Sequence, residues 1–450
     1  MALNVIILAA GQGSRMNSQK AKVLHLLAGK PMLLHVVDSA LQLNPEALHV
    51  VVGHQKEQVQ QSLRHSPVNC ISQDQQLGTG HAVAQALPHI DDQSVVLVLY
   101  GDVPLVPVQI LQKLVSSVSD QQIGLLTVEL RDPSGYGRIL RNTSGMVKAI
   151  VEHRDASAEQ RAIHEVNTGI MAIKAHCLHS WLPLLSAKNA QQELYLTDII
   201  ASAVVNQISI ATIAPQLEQQ VKGVNDLVQL AQLERWYQLQ QAHQFMQQGL
   251  QLADPERFDL RGELILGRDI SIDINVVLEG HISLADGVII GPNCSLKNVR
   301  IGSGVKIKAN SVLEDAEVGD SCEIGPFARL RPGTKMAAGA KIGNFVETKQ
   351  SNIGTGAKVN HFTYLGNCQV GQHSNVGAGT ITCNYDGAQK HTTIIEENVF
   401  VGSNTALVAP VRVGSGATIG AGSTVTKDVP ADHLAIGRGR QVNIGHWKKK

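Results

Sequence analysis

The run Val318-Gly319-Asp320-Ser321-Cys322-Glu323-Ile324-Gly325-Pro326-Phe327-Ala328-Arg329-Leu330-Arg331-Pro332-Gly333-Thr334-Lys335-Met336-Ala337-Ala338-Gly339-Ala340-Lys341-Ile342 places an aliphatic side chain at every sixth position, 318, 324, 330, 336 and 342. Upstream the same beat is kept by Leu260, Leu266, Ile272, Leu278, Leu284, Ile290 and Leu296, and then by Ile301, Ile307 and Leu313. Downstream it continues through Ile353, Val359, Leu365, Val370 and Val376, and after one break through Ile395, Val401, Leu407, Val413, Ile419 and Val425. Glycine often follows the aliphatic residue, as in Ile324-Gly325 and Ile342-Gly343, and a small residue often sits four positions on, as at Thr334, Ala357 and Ala417. Six residues suffice for one short strand and a tight corner, with the aliphatic side chain pointing inward. Three such units close a triangular coil of about 18 residues, and stacked coils bury one another's apolar layer. The period therefore predicts a parallel β-helix. A narrow interior takes aliphatics more readily than rings, which accounts for an aromatic content of 3%. The interval from Val376 to Ile395 is too long for a corner and reads as a loop leaving the prism, with Thr380–Gly387 inside it.

Ahead of residue 225 the pattern is different. Val5–Ala10, Leu48–Val52, Val95–Tyr100, Ile123–Val128 and Ile170–Ile173 read as buried strands, and Pro31–Leu43 and Thr79–Leu87 have helical spacing. Alternating strands and helices imply an α/β domain with a mostly parallel sheet, whose ligands bind beyond the carboxyl ends of the strands. Between Asn225 and Gly249 apolar residues recur at helical spacing, with Asn225 or Asp226 placed to cap the start and Gly249 to end it. The Gln-rich stretch Gln238–Gln248 reads as the exposed face of this helix. The expected organisation is a first domain over 1–225, a helical arm over 226–250 and the repeat domain over 251–450.

Composition narrows the partners. Lys+Arg and Asp+Glu are both 38, which argues against a general nucleic-acid or membrane-surface binder. Lys448, Lys449 and Lys450 read as a short solvated tail. The six cysteines show no C-x-x-C spacing, so neither a zinc site nor a disulfide framework is indicated, and a reducing cytoplasm fits. No apolar stretch approaches ~18 residues, so no membrane span is expected.

In the front half Leu8-Ala9-Ala10-Gly11-Gln12-Gly13-Ser14-Arg15-Met16 follows the first strand, with Lys22 beyond it. Such a loop lets backbone N–H groups approach a phosphate or base, and Arg15 and Lys22 add positive charge. Met16 stands where a Rossmann fingerprint has its third glycine, and G-K-[ST] of a Walker A loop is absent. On its own, a Gly-rich turn after a strand is as compatible with a tight connection as with a ligand loop. The complete string resembles the sugar-nucleotidyltransferase family, although Gln12 stands where many relatives have a lysine. The resemblance implies a Rossmann-like mixed sheet. It also implies that Gln73 and Gln76-Leu77-Gly78-Thr79-Gly80 read the uracil. Tyr100-Gly101-Asp102, Gly135-Tyr136-Gly137-Arg138, Glu152, Asn167-Thr168-Gly169 and Val224-Asn225 then match sugar and metal contacts. A UDP-N-acetylglucosamine site is thus expected from Leu8, Ala9, Ala10, Gly11, Lys22, Gln73, Gly78, Thr79, Tyr100, Gly101, Asp102, Gly137, Glu152, Asn167 and Asn225. Asp102 alone would be a turn aspartate. With Asn225 it suits Mg²⁺, which is typically held by one or two protein oxygens plus substrate phosphates.

In the repeat half, polar and aromatic residues gather in Asn344-Phe345-Val346-Glu347-Thr348-Lys349, His361-Phe362-Thr363-Tyr364-Leu365-Gly366 and Cys383-Asn384-Tyr385-Asp386-Gly387. Strict alternation from Val359 would turn His361 inward, but a six-residue unit rounds a corner, so its direction stays open. A corner or packing histidine is the plainer reading. Taken together these strings resemble the acetyltransferase domain of the bifunctional bacterial enzymes that make UDP-N-acetylglucosamine, and the resemblance runs over nearly the whole chain. It implies a left-handed β-helix and a homotrimer with acetyl sites at subunit junctions. His361 would be the base, with Glu347 able to orient it. Arg331, Lys349, Tyr364 and Asn375 would hold the sugar phosphate. Ala378, Asn384, Tyr385, Ser403, Ala421 and Arg438 would bind acetyl-CoA. The implied substrates are UTP, glucosamine 1-phosphate, N-acetylglucosamine 1-phosphate and acetyl-CoA. Two rival readings are a sugar-1-phosphate nucleotidyltransferase with a purely structural or regulatory β-helix, and a non-catalytic scaffold or sensor.

Overall fold

The computed structural model describes residues 2–445, so the lysines at 448, 449 and 450 lie outside the described residues. The chain separates into two units, Met1–Trp236 and Tyr237–Lys450. The division falls inside the helix Leu227–Gln247. Asp226 starts this helix, its carboxylate accepting from the Gln229 N–H at 2.8 Å, and Gly249 at φ +102° follows its end. The glutamine run is not uniformly exposed. Gln238 is buried because its amide pairs with a strand edge, donating to Leu260 O at 2.8 Å and accepting from Leu260 N at 2.9 Å. It thereby satisfies both backbone groups of Leu260 at the start of the repeats.

In the first unit one sheet runs in the order Ser209–Ile213, Gln122–Glu129, Glu165–Lys174, Val95–Tyr100, Leu3–Ala9, Ala47–Val52 and Asn69–Ser72. Leu3–Ala9 pairs in parallel with both neighbours, while Glu165–Lys174 is antiparallel to both of its own. The sheet is therefore mixed, and a hairpin of Arg138–Arg141 and Val147–Val151 hangs from Glu165–Lys174. Helices Met32–Leu41 and Thr79–Ala86 pack on it, and separate apolar clusters fill its two faces. Leu3–Ala9 and Val95–Tyr100 end side by side, with Gly101 N–H donating to Leu8 O at 2.9 Å. That common end is where the glycine loop begins.

The second unit is a parallel β-helix with three ladders of inward residues. One runs through Ile290, Ile307, Ile324, Ile342, Val359, Val376, Val401 and Ile419 in register. A second carries Leu296, Leu313, Leu330, Thr348 and Leu365, and a third Ile301, Val318, Met336, Ile353, Val370, Ile395 and Val413. The aliphatic series is buried throughout apart from Leu266, which is half-buried. Thr334, Ala357 and Ala417, the small residues four positions on, are buried too.

The series skips two slots, and threonines fill them. Thr348 hydrogen-bonds Thr334 Oγ1 at 3.0 Å, and Thr382 Oγ1 accepts from Gly366 N at 2.8 Å. The expected loop is thus shorter than its sequence gap, since Ile381–Cys383 is a strand of the prism and the excursion starts at Asn384. Thr382→Val would leave the buried Gly366 N–H without its acceptor, which costs about 1–3 kcal/mol. The measurement is denaturant unfolding of the full chain, with Thr382→Ser staying closer to wild type. An unchanged midpoint for the valine variant would mean that the hydroxyl contributes nothing.

One edge of the prism carries a left-handed backbone position in each coil. Asparagines occupy it at 275, 293 and 310, a common choice for that conformation. Phenylalanines follow at 327, 345 and 362, with φ of 53°, 55° and 47°. Their exposed rings stack with centroids 5.3 and 5.2 Å apart. The ladder leads directly to His361.

Candidate active sites

In the first unit a cavity of about 430 Å³ opens at the carboxyl end of Leu3–Ala9. Leu8, Ala9, Ala10, Gly11, Lys22, Gln73, Gly78, Thr79, Tyr100 and Asp102 line it, together with Gln12, Gln76 and Glu193. Gln73 is held by its own amide, which donates to Gly78 O at 3.2 Å and meets His81 Nδ1 at 3.0 Å. Glu193 was not visible in the sequence as a site residue. It belongs to a polar stretch with no periodicity and reaches the cavity only through the packing of Leu194 against Gly78 and Gly80.

The rest of the expected set joins through Tyr100. Gly169 sits at φ +85° with the Tyr100 ring against it, in a space that any side chain at 169 would fill. Asn167 Oδ1 accepts from Gly169 N at 3.0 Å, and Asn167 N donates to Gly137 O at 2.8 Å. Glu152 lies beside Gly137 and accepts from Thr197 Oγ1 at 3.0 Å. Burial pushes the Tyr100 phenol well above its usual range, and the Glu152 and Asp102 carboxylates add to this. Burial also raises Glu152, with Asp198 and Asp155 adding to it against the Thr197 hydrogen bond. Arg138 does not join the site. It is buried, and its guanidinium donates to Tyr136 O and to Arg161 O, with His153 Nδ1 at 3.3 Å, so it braces the loop from behind.

At the mouth the charges converge. Val224 N donates to Asp102 O at 2.9 Å, which brings Asn225 beside Asp102 although more than a hundred residues separate them. Lys22 Nζ pairs with Asp102 Oδ2 and lies 3.4 Å from Asn225 Oδ1, while Arg15 donates to the same oxygen at 3.0 Å. One carboxylate and one amide oxygen, already facing cationic groups, form a donor set that fits a hard divalent cation.

In the β-helix the sites follow from register. Asn344 pairs with His361, and Gly379 N donates to His361 O at 3.3 Å. Asn404 N donates to Ala378 O at 2.7 Å, Gly422 N donates to Ser403 O at 2.8 Å, and the Arg438 guanidinium donates to Ala421 O. His361, Ala378, Ser403 and Ala421 therefore occupy one edge, one residue per coil, with Arg438 beyond the last. His361 is exposed, which settles the direction that alternation left open.

Beside this edge Tyr364 stands in register with Glu347, and Lys349 with Gly366. A side chain at 366 would collide with the Tyr364 hydroxyl and lie 2.8 Å from Asn384 Nδ2, so this glycine makes room for both. Arg331 pairs with Glu347 at 2.8 Å; that carboxylate thus meets a cation here and not the histidine. Lys390, absent from the expected set, lies beside Lys349 and is the first cause that lowers its ammonium, followed by Arg331. Lys349 thus stands with Lys390 and Arg331 near it, and three neighbouring cations suit an anion. Lys390 was illegible because it falls in the one interval without a period. Its loop is closed by a Tyr385–Lys390 bridge and by Asp386, held below the usual carboxylate range by Gln389 N–H first and then by His391 at 2.6 Å. Asn375 lies on the neighbouring face, in register with Lys358.

Among the described residues no helix is long and apolar enough to cross a membrane. Residues 5–180 match the MobA-like NTP transferase domain, and residues 392–427 match the bacterial transferase hexapeptide (six repeats). The "Bifunctional protein GlmU" of Marinobacter nauticus is 57% identical over 447 residues, covering 99% of this chain and 98% of that protein. The proteins of the same description from Stutzerimonas stutzeri and Cellvibrio japonicus are 55% and 57% identical, over 100% and 99% of this chain and 99% of each of theirs.

Proposed function

The chain belongs to the GlmU family of bifunctional proteins and is both an acetyltransferase and a uridylyltransferase, and we propose that each unit carries one of these activities. The edge that runs from His361 to Arg438 is the observation that carries this reading, because a purely structural prism has no use for it. In the β-helix, glucosamine 1-phosphate is acetylated by acetyl-CoA. Arg331, Lys349 and Lys390 hold the sugar phosphate, while Tyr364 and Asn384 fix the sugar. An imidazole nitrogen of His361 takes the proton from the amine as the nitrogen–carbon bond forms and the thiolate of coenzyme A leaves. From His361 to Ala421 is three coil steps, about 14 Å at the spacing of neighbouring strands. That length lets Ala378, Ser403 and Ala421 accompany the extended donor, with Arg438 toward its phosphates.

The front unit then transfers uridylyl from UTP to the resulting N-acetylglucosamine 1-phosphate. A sugar-phosphate oxygen attacks the α-phosphorus, and the bond to the leaving pyrophosphate breaks. Such chemistry needs positioning and charge neutralisation more than a side-chain base. Asp102 and Asn225 would hold Mg²⁺, which when bound neutralises phosphate charge. Lys22 and Arg15 face the pyrophosphate, Gln73, Gly78 and Thr79 the base, and Glu152 and Asn167 the sugar. The working protein is a cytoplasmic homotrimer, supported by the exposed phenylalanine stack beside His361.

Supplying glucosamine 1-phosphate, acetyl-CoA, UTP and Mg²⁺ together should yield coenzyme A, pyrophosphate and UDP-N-acetylglucosamine. Uridylylation of supplied N-acetylglucosamine 1-phosphate without any acetyl transfer would return the β-helix to a structural role.

Glu152 gives a pH test. Its raised pKa makes it take up a proton at higher pH than an ordinary glutamate, so the carboxylate is lost early as pH falls. KM for the sugar phosphate in uridylyl transfer should therefore rise as pH falls, starting above the usual carboxylate range, and Glu152→Gln should flatten that limb. The same shift makes the ionised carboxylate a cost to the fold above its folded pKa, a cost that disappears as pH falls through it. The glutamine variant should thus melt higher than wild type at pH 8. A KM limb unchanged in the variant would remove Glu152 from the sugar site.

A further inference from the structure

The two oxygens that suit a divalent cation already hold cationic partners from the chain itself. Lys22 Nζ pairs with Asp102 Oδ2 and stands 3.4 Å from Asn225 Oδ1, which also accepts from Arg15 at 3.0 Å. The Lys22 and Asp102 side chains are only 15% and 17% exposed, so water screens their pairing weakly. A divalent ion bound at Asp102 would stand against the Lys22 ammonium, and the two cations repel. Lys22 must leave before a metal can settle. The ammonium needs another anion to leave for, and a triphosphate entering the adjoining cavity supplies one.

We propose that Lys22 is a built-in counter-cation that makes metal binding depend on nucleotide. Without a triphosphate, Lys22 keeps the Asp102–Asn225 pair closed to divalent ions. With it, Lys22 and Arg15 turn to the phosphates and the pair opens. The device enforces an order in which nucleotide and metal arrive together, and it keeps the site from filling with metal alone. It rests on the reading of Asp102 and Asn225 as the metal ligands of the front unit.

The test uses the full chain and Mn²⁺ as probe, with bound ion read by electron paramagnetic resonance and calorimetry and no turnover involved. Without nucleotide, wild type should bind Mn²⁺ weakly and Lys22→Gln about tenfold more tightly. Arg15→Gln should tighten it less, because Arg15 donates to the Asn225 amide oxygen whereas Lys22 pairs with the Asp102 carboxylate. With a non-hydrolysable UTP analogue present, the advantage of Lys22→Gln should vanish. Asp102→Asn should abolish the site in every background. The proposal is overturned if Lys22→Gln binds Mn²⁺ no better than wild type, or if wild type alone binds it as tightly as it does with the analogue. A different result, nucleotide-dependent Mn²⁺ binding that survives Asp102→Asn, would instead defeat the metal-ligand reading beneath it.

Discussion

Asp102→Ala is expected to lower uridylyl transfer by roughly 10³-fold or more while acetyl transfer continues at the wild-type rate. Asp102 contributes the carboxylate that pairs with Lys22 at the mouth of the front cavity, and its backbone oxygen anchors Val224 and so places Asn225. Alanine keeps that backbone anchor, so the loss isolates the carboxylate. Without it the phosphates lose a metal ligand, and Lys22 loses its resting partner. The β-helix holds none of these residues and should be indifferent. Pyrophosphate release and coenzyme A release, followed on the same preparation, give both numbers. A folded variant losing both activities equally would show that Asp102 is not a local ligand.

His361→Ala is expected to slow acetyl transfer by about 10²–10⁴-fold, the usual worth of general-base assistance. An ammonium has no lone pair with which to attack a thioester, so a proton must leave the amine as the bond forms. Histidine is the side chain whose ordinary titration lies closest to neutrality. Here the ring is exposed on the edge it shares with Ala378, Ser403 and Ala421, so it is not consumed by packing. Binding of acetyl-CoA should survive, because those residues and Arg438 are untouched, and uridylyl transfer should not change. Rates would be followed from about pH 6 to 9. Near wild-type acetylation by a folded variant across that range would eliminate His361 as the base.

The six-residue period told the inward residues of the prism almost in full, since a narrow interior tolerates few substitutes for an aliphatic side chain. Where it faltered, a hydroxyl had replaced a methyl: Thr348 and Thr382 fill inward slots because each finds a hydrogen bond inside. Gln238 was misread for a similar reason, its amide having a buried strand edge to satisfy. Lys390 hid in the interval without a period, and its place beside Lys349 exists only in three dimensions. In the front unit the strands were legible, but hydrophobic runs do not state direction, so the antiparallel Glu165–Lys174 was not. Arg138 belonged to the right motif and faces the wrong way, as a motif fixes spacing along the chain and not the side of the loop on which a side chain packs.

The ladder of edge positions above His361 also acts as a gauge. Its marks at His361, Ala378, Ser403 and Ala421 are one coil apart, about 4.8 Å each, and they are set by backbone register, with Arg438 attached to the last of them. A donor whose reactive carbon and anionic tail are differently spaced finds one end off its mark, whatever its other chemistry. Inserting one complete coil between Val401 and Ile419 would leave each interior layer a neighbour of the same kind to rest on, while carrying the Arg438 mark one division further away. In this stretch, changes of length should therefore register first as a change in which donor is accepted, and only later as a loss of fold.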